Sequence, residues 1–354
     1  MGVVVSQVVD CINNLDALPD MDAGCVDAIV TDPPYGLAFM GKAWDKTLPD
    51  PRTWSECLRV LKPGGHAVIF GAPRLYHRLA CAVEDAGFEV RDVLMWMFGS
   101  GFPKSLDVSK AIDGHLGVER ERVPATGGLH KNANLNDDGW KNIGLEGATM
   151  AGPVAATPEA AAWAGWGTAL KPAYEPILLV RKPLVGTVAQ NVLTHGTGGI
   201  NVDACRVEAV PGDEPLRWEH GRSMGFHGAE DRGPCAALTS PGRWPANVIM
   251  DEGPEEWRRY FYCPKASRSE REAGLKAPDG QRANTHPTVK PIALMEWLVR
   301  LVTPPGGLVL DPFCGSGSTG VACARLGVRF LGLEMDPDYA ALARMRVEHA
   351  RRPL

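Results

Sequence analysis

Toward its C-terminal end the chain runs through an apolar segment (Leu308–Leu310), a glycine loop, a helical stretch (Val321–Leu326), a second apolar segment (Val328–Leu333) and an acid, Glu334. The loop reads Asp311-Pro312-Phe313-Cys314-Gly315-Ser316-Gly317-Ser318-Thr319-Gly320, so glycines 315, 317 and 320 fit G-x-G-x-x-G. This order constrains the fold strongly. A strand, a glycine turn, a helix and a parallel strand ending in an acid let backbone approach a nucleoside while a carboxylate meets ribose hydroxyls. The pattern does not say which nucleoside. Asp311 and Phe313 lead into the loop, placing a carboxylate and a ring at its mouth. A carboxylate there suits a cation and repels a diphosphate. That points away from a nicotinamide dinucleotide and toward S-adenosylmethionine, which carries an ammonium and a sulfonium.

The first hundred residues show the same alternation. Strands are expected at Val3–Val9, Val26–Thr31, His66–Phe70 and Val90–Phe98, with helical segments at Asn13–Leu18, Pro51–Leu61 and Leu75–Ala86. Lys62-Pro63-Gly64-Gly65 reads as the stop of the second helix. Such a β-α-β-α-β order predicts a mostly parallel sheet with helices on both faces. Residues 99–165 lose all apolar rhythm and read as a long irregular insertion. Order returns at Tyr174–Arg181, and residues 184–284 then mix short β-like pieces (Asn247–Met250 among them) with arginines and aromatics. The α/β rhythm resumes with a helix at Pro291–Val302 and closes with one at Asp338–Ala350.

The strand at Val26–Thr31 ends in Asp32-Pro33-Pro34-Tyr35-Gly36. Two adjacent prolines cannot continue a sheet, because neither has an N–H to give. Alone, the segment is a stiff turn with a carboxylate and a ring. Together with the downstream glycine loop it resembles the DNA amino-methyltransferases, which act on N6 of adenine or N4 of cytosine. Tetrapeptide first and glycine loop last is the order of that family's β group. His286-Pro287-Thr288-Val289-Lys290-Pro291 and Lys171-Pro172-Ala173-Tyr174-Glu175-Pro176 resemble two further segments of the group. The resemblance covers about residues 1–100, 165–185 and 284–350.

What the resemblance implies is specific. The fold is an α/β, circularly permuted class I S-adenosylmethionine-dependent methyltransferase, with a seven-stranded, mostly parallel sheet. The chain would start at the sheet's third strand, and its C-terminal part would supply the first two. The expected organisation is a catalytic half at 1–104, an irregular insertion at 105–165, the last strand of that half at 166–183, a target-recognition region at 184–284 and a cofactor half at 285–354. The activity is site-specific methylation of a base amine in double-stranded DNA, most simply N6 of adenine, since Asp at the first tetrapeptide position goes mainly with adenine in the family and Ser with cytosine.

An exocyclic amine is a poor nucleophile, because its lone pair is delocalised into the ring. The Asp32 carboxylate and the Pro33 carbonyl can each accept one N–H, which favours a pyramidal nitrogen aimed at the sulfonium methyl. Pro34 helps to stiffen that geometry before reaction. The Tyr35 ring can stack on a base taken out of the duplex. By resemblance Asp10, with Cys11 beside it, meets the adenine amine of the cofactor, and Glu334 its ribose. Asp311, Phe313, Gly315, Ser316 and Gly317 form the cofactor loop, His286 belongs to the cofactor-binding segment before it, and Thr288 and Lys290 shape the methionine end. Trp44-Asp45 is expected to flank the base pocket or simply to pack.

Other classes fit less well. Nine scattered cysteines without a C-x-x-C pair argue for a reducing, cytoplasmic setting and match no standard metal site, so no metal is expected. Pro234-Cys235 resembles the nucleophile dipeptide of cytosine-C5 methyltransferases, but Ala236-Ala237-Leu238 follows in place of their Gln-x-Phe-Ser. No apolar run approaches the ~20 residues of a membrane span. The formal net charge of −5 disfavours a globally basic DNA-binding surface, yet a basic cleft on an acidic body serves equally well. A homodimer and a cognate restriction endonuclease are further partners compatible with the family.

Overall fold

The computed structural model describes residues 6–38, 41–98, 105–124, 149–206, 244–250, 265–276 and 283–351. The chain forms two compact units, Met1–Phe98 with Tyr174–Leu354, and Gly99–Ala173. In chain order the elements are β1 (Gln7–Cys11), α1 (Asn14–Ala17), β2 (Val26–Thr31), α2 (Pro51–Val60), β3 (Leu61–Phe70), α3 (Tyr76–Asp85) and β4 (Glu89–Met97). The smaller unit holds α4 (Val108–His115), β5 (Arg122–Pro124), β6 (Thr149–Ala151) and α5 (Pro158–Ala162). The larger unit continues with β7 (Tyr174–Arg181), α6 (Val188–His195), β8 (Val248–Met250), α7 (Arg268–Glu272), α8 (Ile292–Val302), β9 (Leu308–Asp311), α9 (Ser318–Leu326), β10 (Arg329–Glu334) and α10 (Pro337–Arg351).

The sheet of the larger unit runs β1-β10-β9-β2-β3-β7-β4-β8. All neighbours are parallel except β7, which lies antiparallel to both β3 and β4. The last two strands in sequence are thus inserted between β1 and β2, which is the permuted methyltransferase order expected from the sequence. The sheet has eight strands where seven were expected. The extra one, β8, adds to the β4 edge through Met95↔Val248 to Met97↔Met250.

Why β2 is a continuous apolar run is now plain. Ala28 and Val30 face a core shared with Leu298, Val299 and Val302 of α8 and Val321 of α9. Val26 and Ile29 face the other layer, with Trp54 and Cys57 of α2 and Leu79 and Val83 of α3. A strand covered on both faces has no polar side to alternate with.

Several expectations need correction. Lys62-Pro63-Gly64-Gly65 does not separate helix from strand: α2 passes directly into β3, and the four residues lie inside it. The pairing slips there, from Val26↔Leu61 to Ala28↔His66, and Gly64 absorbs the irregularity at φ +76°. The stretch at 105–165 is not simply an irregular insertion. Asp107 caps α4 through the Lys110 N–H, and a buried ion pair of 2.6 Å ties Asp113 of α4 to Arg120, just beyond the helix end. Thr157 donates to the same Asp113 at 2.7 Å. The described residues of 184–284 cluster with the sheet rather than apart from it. Cys235 and the arginines at 217–243 and 258–259 lie outside the described residues, as does Val3–Val5 of the first expected strand. No described helix is long and apolar enough to cross a membrane.

Candidate active site

The site forms at the carboxyl ends of the parallel strands, where β9 meets β2. Thr31, the last residue of β2, donates its hydroxyl to Asp311 Oδ1 at 2.7 Å. Thr319, in the first turn of α9, donates to Asp311 Oδ2 at 2.7 Å. The Phe313 N–H adds a bond of 3.2 Å to Oδ1. Asp311 is therefore 2 % exposed, with both oxygens engaged by protein. Burial pushes its pKa up to about 6 against the hydrogen bonds from the two threonines. Its carboxylate faces inward rather than toward a cofactor cation: it joins the tetrapeptide strand to the glycine loop across 280 residues of sequence.

The loop itself turns through Gly315 (φ +53°) and Gly317 (φ +78°). A Cβ on Gly317 would stand 2.9 Å from that of Ala343, so α10 packs directly on the loop. From α10 the buried Arg346 donates to the Ser316 carbonyl at 2.6 Å and its hydroxyl at 3.0 Å. Burial lowers the Arg346 pKa to about 10, with Glu270 opposing. Glu334, at the end of β10, accepts the Gly315 N–H at 2.7 Å on one oxygen and the Asp336 N–H at 2.9 Å on the other. Burial raises its pKa against those bonds. In register beside Leu333 and Glu334 lie Asp10 and Cys11, both exposed. Phe313 is half-buried and leans on Trp54, ring centroids 6.1 Å apart.

His286 lies over the loop, its Nε2 2.9 Å from where a Gly315 Cβ would be. Its ring stacks on Trp44 (6.1 Å, 15°) and meets Tyr339 edge-on at 4.6 Å. The Thr288 N–H points to His286 Nδ1 at 3.4 Å. Burial, with the charges of Lys290 and Arg346, lowers the His286 pKa to about 3, so the ring is neutral.

The tetrapeptide turn is held from outside. Asp45, 2 % exposed, accepts the N–H groups of Tyr35 (2.6 Å) and Gly36 (3.0 Å) on one oxygen. The stacking of Trp44 on His286 and the capping by Asp45 show that this dipeptide packs and positions. Tyr35 turns its hydroxyl to Asp32 Oδ1 (2.8 Å) and Glu175 Oε2 (3.0 Å). Lys290 does not reach the glycine loop. Its ammonium meets Asp32 Oδ2 at 2.7 Å, Glu175 Oε2 at 3.2 Å and the Tyr35 hydroxyl at 3.1 Å. Burial disfavours its charge, but the two carboxylates outweigh burial and its pKa is raised.

The family profile of N6_N4_Mtase, described as DNA methylase, matches residues 26–345. The chain belongs to this DNA methylase family. It is 24 % identical to the type II methyltransferase M.HindIII of Haemophilus influenzae, over 92 % of this chain and 91 % of that protein. A shorter segment of 66 residues, 19 % of this chain and 25 % of the relative, is 47 % identical to the type II methyltransferase M2.DpnII of Streptococcus pneumoniae. Among solved structures, an M1.HpyAVI–SAM complex is 19 % identical with a TM-score of 0.44, covering 96 % of this chain and 98 % of that one. The PvuII cytosine-N4-specific DNA methyltransferase is 14 % identical with a TM-score of 0.45, covering 96 % and 85 %.

A DNA methylase of this family methylates N6 of adenine or N4 of cytosine and uses S-adenosylmethionine as donor. The residues fit that group. Asp10, in register with Leu333, and Glu334, in register with Cys11, put two carboxylates one position apart at neighbouring strand ends. The bound donor supplies a methyl group activated by a sulfonium; the chain's part is to seat it and to aim an amine at it. Four contributors were not foreseen: Glu175 and Thr31 at the site, and Thr319 and Arg346 behind the loop. Glu175 stood in a segment singled out by resemblance. Nothing local marks Arg346.

Proposed function

We propose that this DNA methylase acts on N6 of adenine within a defined double-stranded site, on a base rotated out of the duplex. The observation that carries the reading is the Asp32 carboxylate, 19 % exposed, beside the Pro33 carbonyl, at the strand end that Asp311 ties to the glycine loop. In this reading Asp32 and the Pro33 carbonyl accept the two N–H groups of the target amine, so that its lone pair points at the methyl carbon. Pro33 and Pro34 keep that carbonyl from relaxing. Two acceptors around one nitrogen also stabilise the positive charge that it gains during transfer. The Tyr35 ring stacks on the extruded base. Asp10 binds the cofactor's adenine amine and Glu334 its ribose, with Phe313 alongside and Ser316 in the loop wall. The arginine- and tryptophan-rich region at 184–284 supplies contacts to phosphates and base edges.

The test is methyl transfer from labelled S-adenosylmethionine to unmethylated DNA, followed by digestion to nucleosides. N6-methyldeoxyadenosine is the expected product. N4-methyldeoxycytidine would move the assignment to cytosine, and an absence of label in DNA would overturn the reading.

A further inference from the structure

Lys290 was expected at the methionine end of the cofactor, yet each of its three N–H donors is already taken. They go to Asp32 Oδ2 at 2.7 Å, Glu175 Oε2 at 3.2 Å and the Tyr35 hydroxyl at 3.1 Å. The residue is 5 % exposed. The single Tyr35 proton is shared between Asp32 Oδ1 (2.8 Å) and Glu175 Oε2 (3.0 Å). The network is closed without substrate, and Asp32 Oδ1 retains a lone pair for an incoming amine.

We propose that Lys290 and Glu175 are positioning residues for methyl transfer, which hold Asp32 oriented and ionised and give their hydrogen-bonded network one net negative charge. The proposal rests on the role given to Asp32. Within that network two carboxylates and one ammonium make the charge, and Asp311 stands outside it with both oxygens held by Thr31, Thr319 and the Phe313 N–H. The network's charge matches the positive charge gained by the target nitrogen. As the nitrogen lone pair forms the new C–N bond, the pair of the broken S–C bond stays on sulfur. One N–H proton then passes to the Asp32 carboxylate and on to water. Without Lys290 two like charges would remain side by side in a desolvated pocket, and one would be neutralised by a proton. Without Glu175 the ammonium would cancel Asp32, and the network would offer the reacting nitrogen no net charge.

The titratable groups facing Asp32 are Tyr35 of its own turn, Glu175 of β7, Lys290 ahead of α8 and Asp311 of β9; His286 faces Lys290. Burial raises the Asp32 pKa, Lys290 opposes it and Glu175 adds to it. Removing the opposing charge must move Asp32 further up.

The experiment uses the full chain as wild type, Lys290→Met, Glu175→Gln and the double variant. Single-turnover methyl transfer to DNA is followed against pH, and thermal midpoints of the DNA-free proteins are followed from pH 5 to 8. In Lys290→Met the acid limb of the rate moves up by roughly one pH unit or more. Its thermal deficit grows as pH rises, because a carboxyl with a raised folded-state pKa loses stability on ionising. Adding Glu175→Gln brings the limb back and shrinks the deficit at pH 8, a rescue that a merely structural lysine would not show. Glu175→Gln alone slows transfer at every pH without raising the acid limb. An unshifted limb, a deficit independent of pH, or a double variant no better than Lys290→Met overturns the proposal. If Lys290→Met is inactive throughout, the thermal series decides by the same criterion. A wild type that transfers no methyl group overturns the function and this proposal together; an active wild type with an unshifted variant overturns this proposal alone.

Discussion

Asp32 is held by Tyr35 of its own turn and by Lys290 from 258 residues away, with Glu175 bonded to both, and these neighbours decide what its substitution should do. Asp32→Ala removes an acceptor that the target amine needs and is expected to lower methyl transfer by roughly 10²–10³-fold or more. Binding of S-adenosylmethionine, measured by calorimetry, should persist, because Glu334 and Asp10 lie at other strand ends. Asp45 acts on the same turn from outside, through the N–H groups of Tyr35 and Gly36. Asp45→Ala leaves both N–H groups without their acceptor. Stability should fall by about 1–3 kcal/mol in denaturant melts, and the rate should fall with it as Pro33 loses its fixed place. Asp45→Asn, which keeps an acceptor oxygen, should recover most of the stability.

At the scale of elements, the junction of β2 with β9 joins the two halves of the permuted sheet. Only Ala28↔Val309 and Ile29↔Leu310 pair there, and the Asp311 hydrogen bonds to Thr31 and Thr319 reinforce that short ladder. Thr31→Val keeps shape and removes one donor from a buried carboxylate, at an expected cost of about 1–3 kcal/mol. β3 carries a second liability. His66 is buried, and burial, then the nearby Arg181, lower its pKa to about 4. The unfolded chain protonates it near its ordinary value of about 6.5. Its contribution is therefore intact above about pH 6.5 and is lost as pH falls toward 4. Melts at pH 7.5 and pH 5 should show this loss in the wild type, and His66→Gln should flatten the difference.

Across the whole molecule, the strands were legible because parallel strands buried on both faces are continuous apolar runs, and the permutation was legible from the order of two motifs. The misread places share a cause. Glycine punctuates helices, but Gly64 is a bulge inside β3, and only pairing with β2 reveals that. The helix at Val108–His115 offers few apolar positions, and its anchor is a buried ion pair formed with Arg120. Lys290 sits 258 residues from Asp32 in sequence, and no local pattern reports a partner at that separation. The acidic net charge of −5 does not weaken the expectation of a basic DNA-facing surface. Binding to duplex DNA should lose affinity by about tenfold or more between roughly 50 and 200 mM salt, and a salt-independent constant would refute a phosphate-contacting surface.

The most direct measurement is single-molecule sequencing of DNA from a methylation-free host that expresses either this chain or its Asp32→Ala variant. The predicted result is N6-methyladenine at one recurring sequence with the wild type and none with the variant, while the purified variant still binds S-adenosylmethionine. DNA left unmodified by the wild type, or a mark that survives Asp32→Ala, would contradict the account.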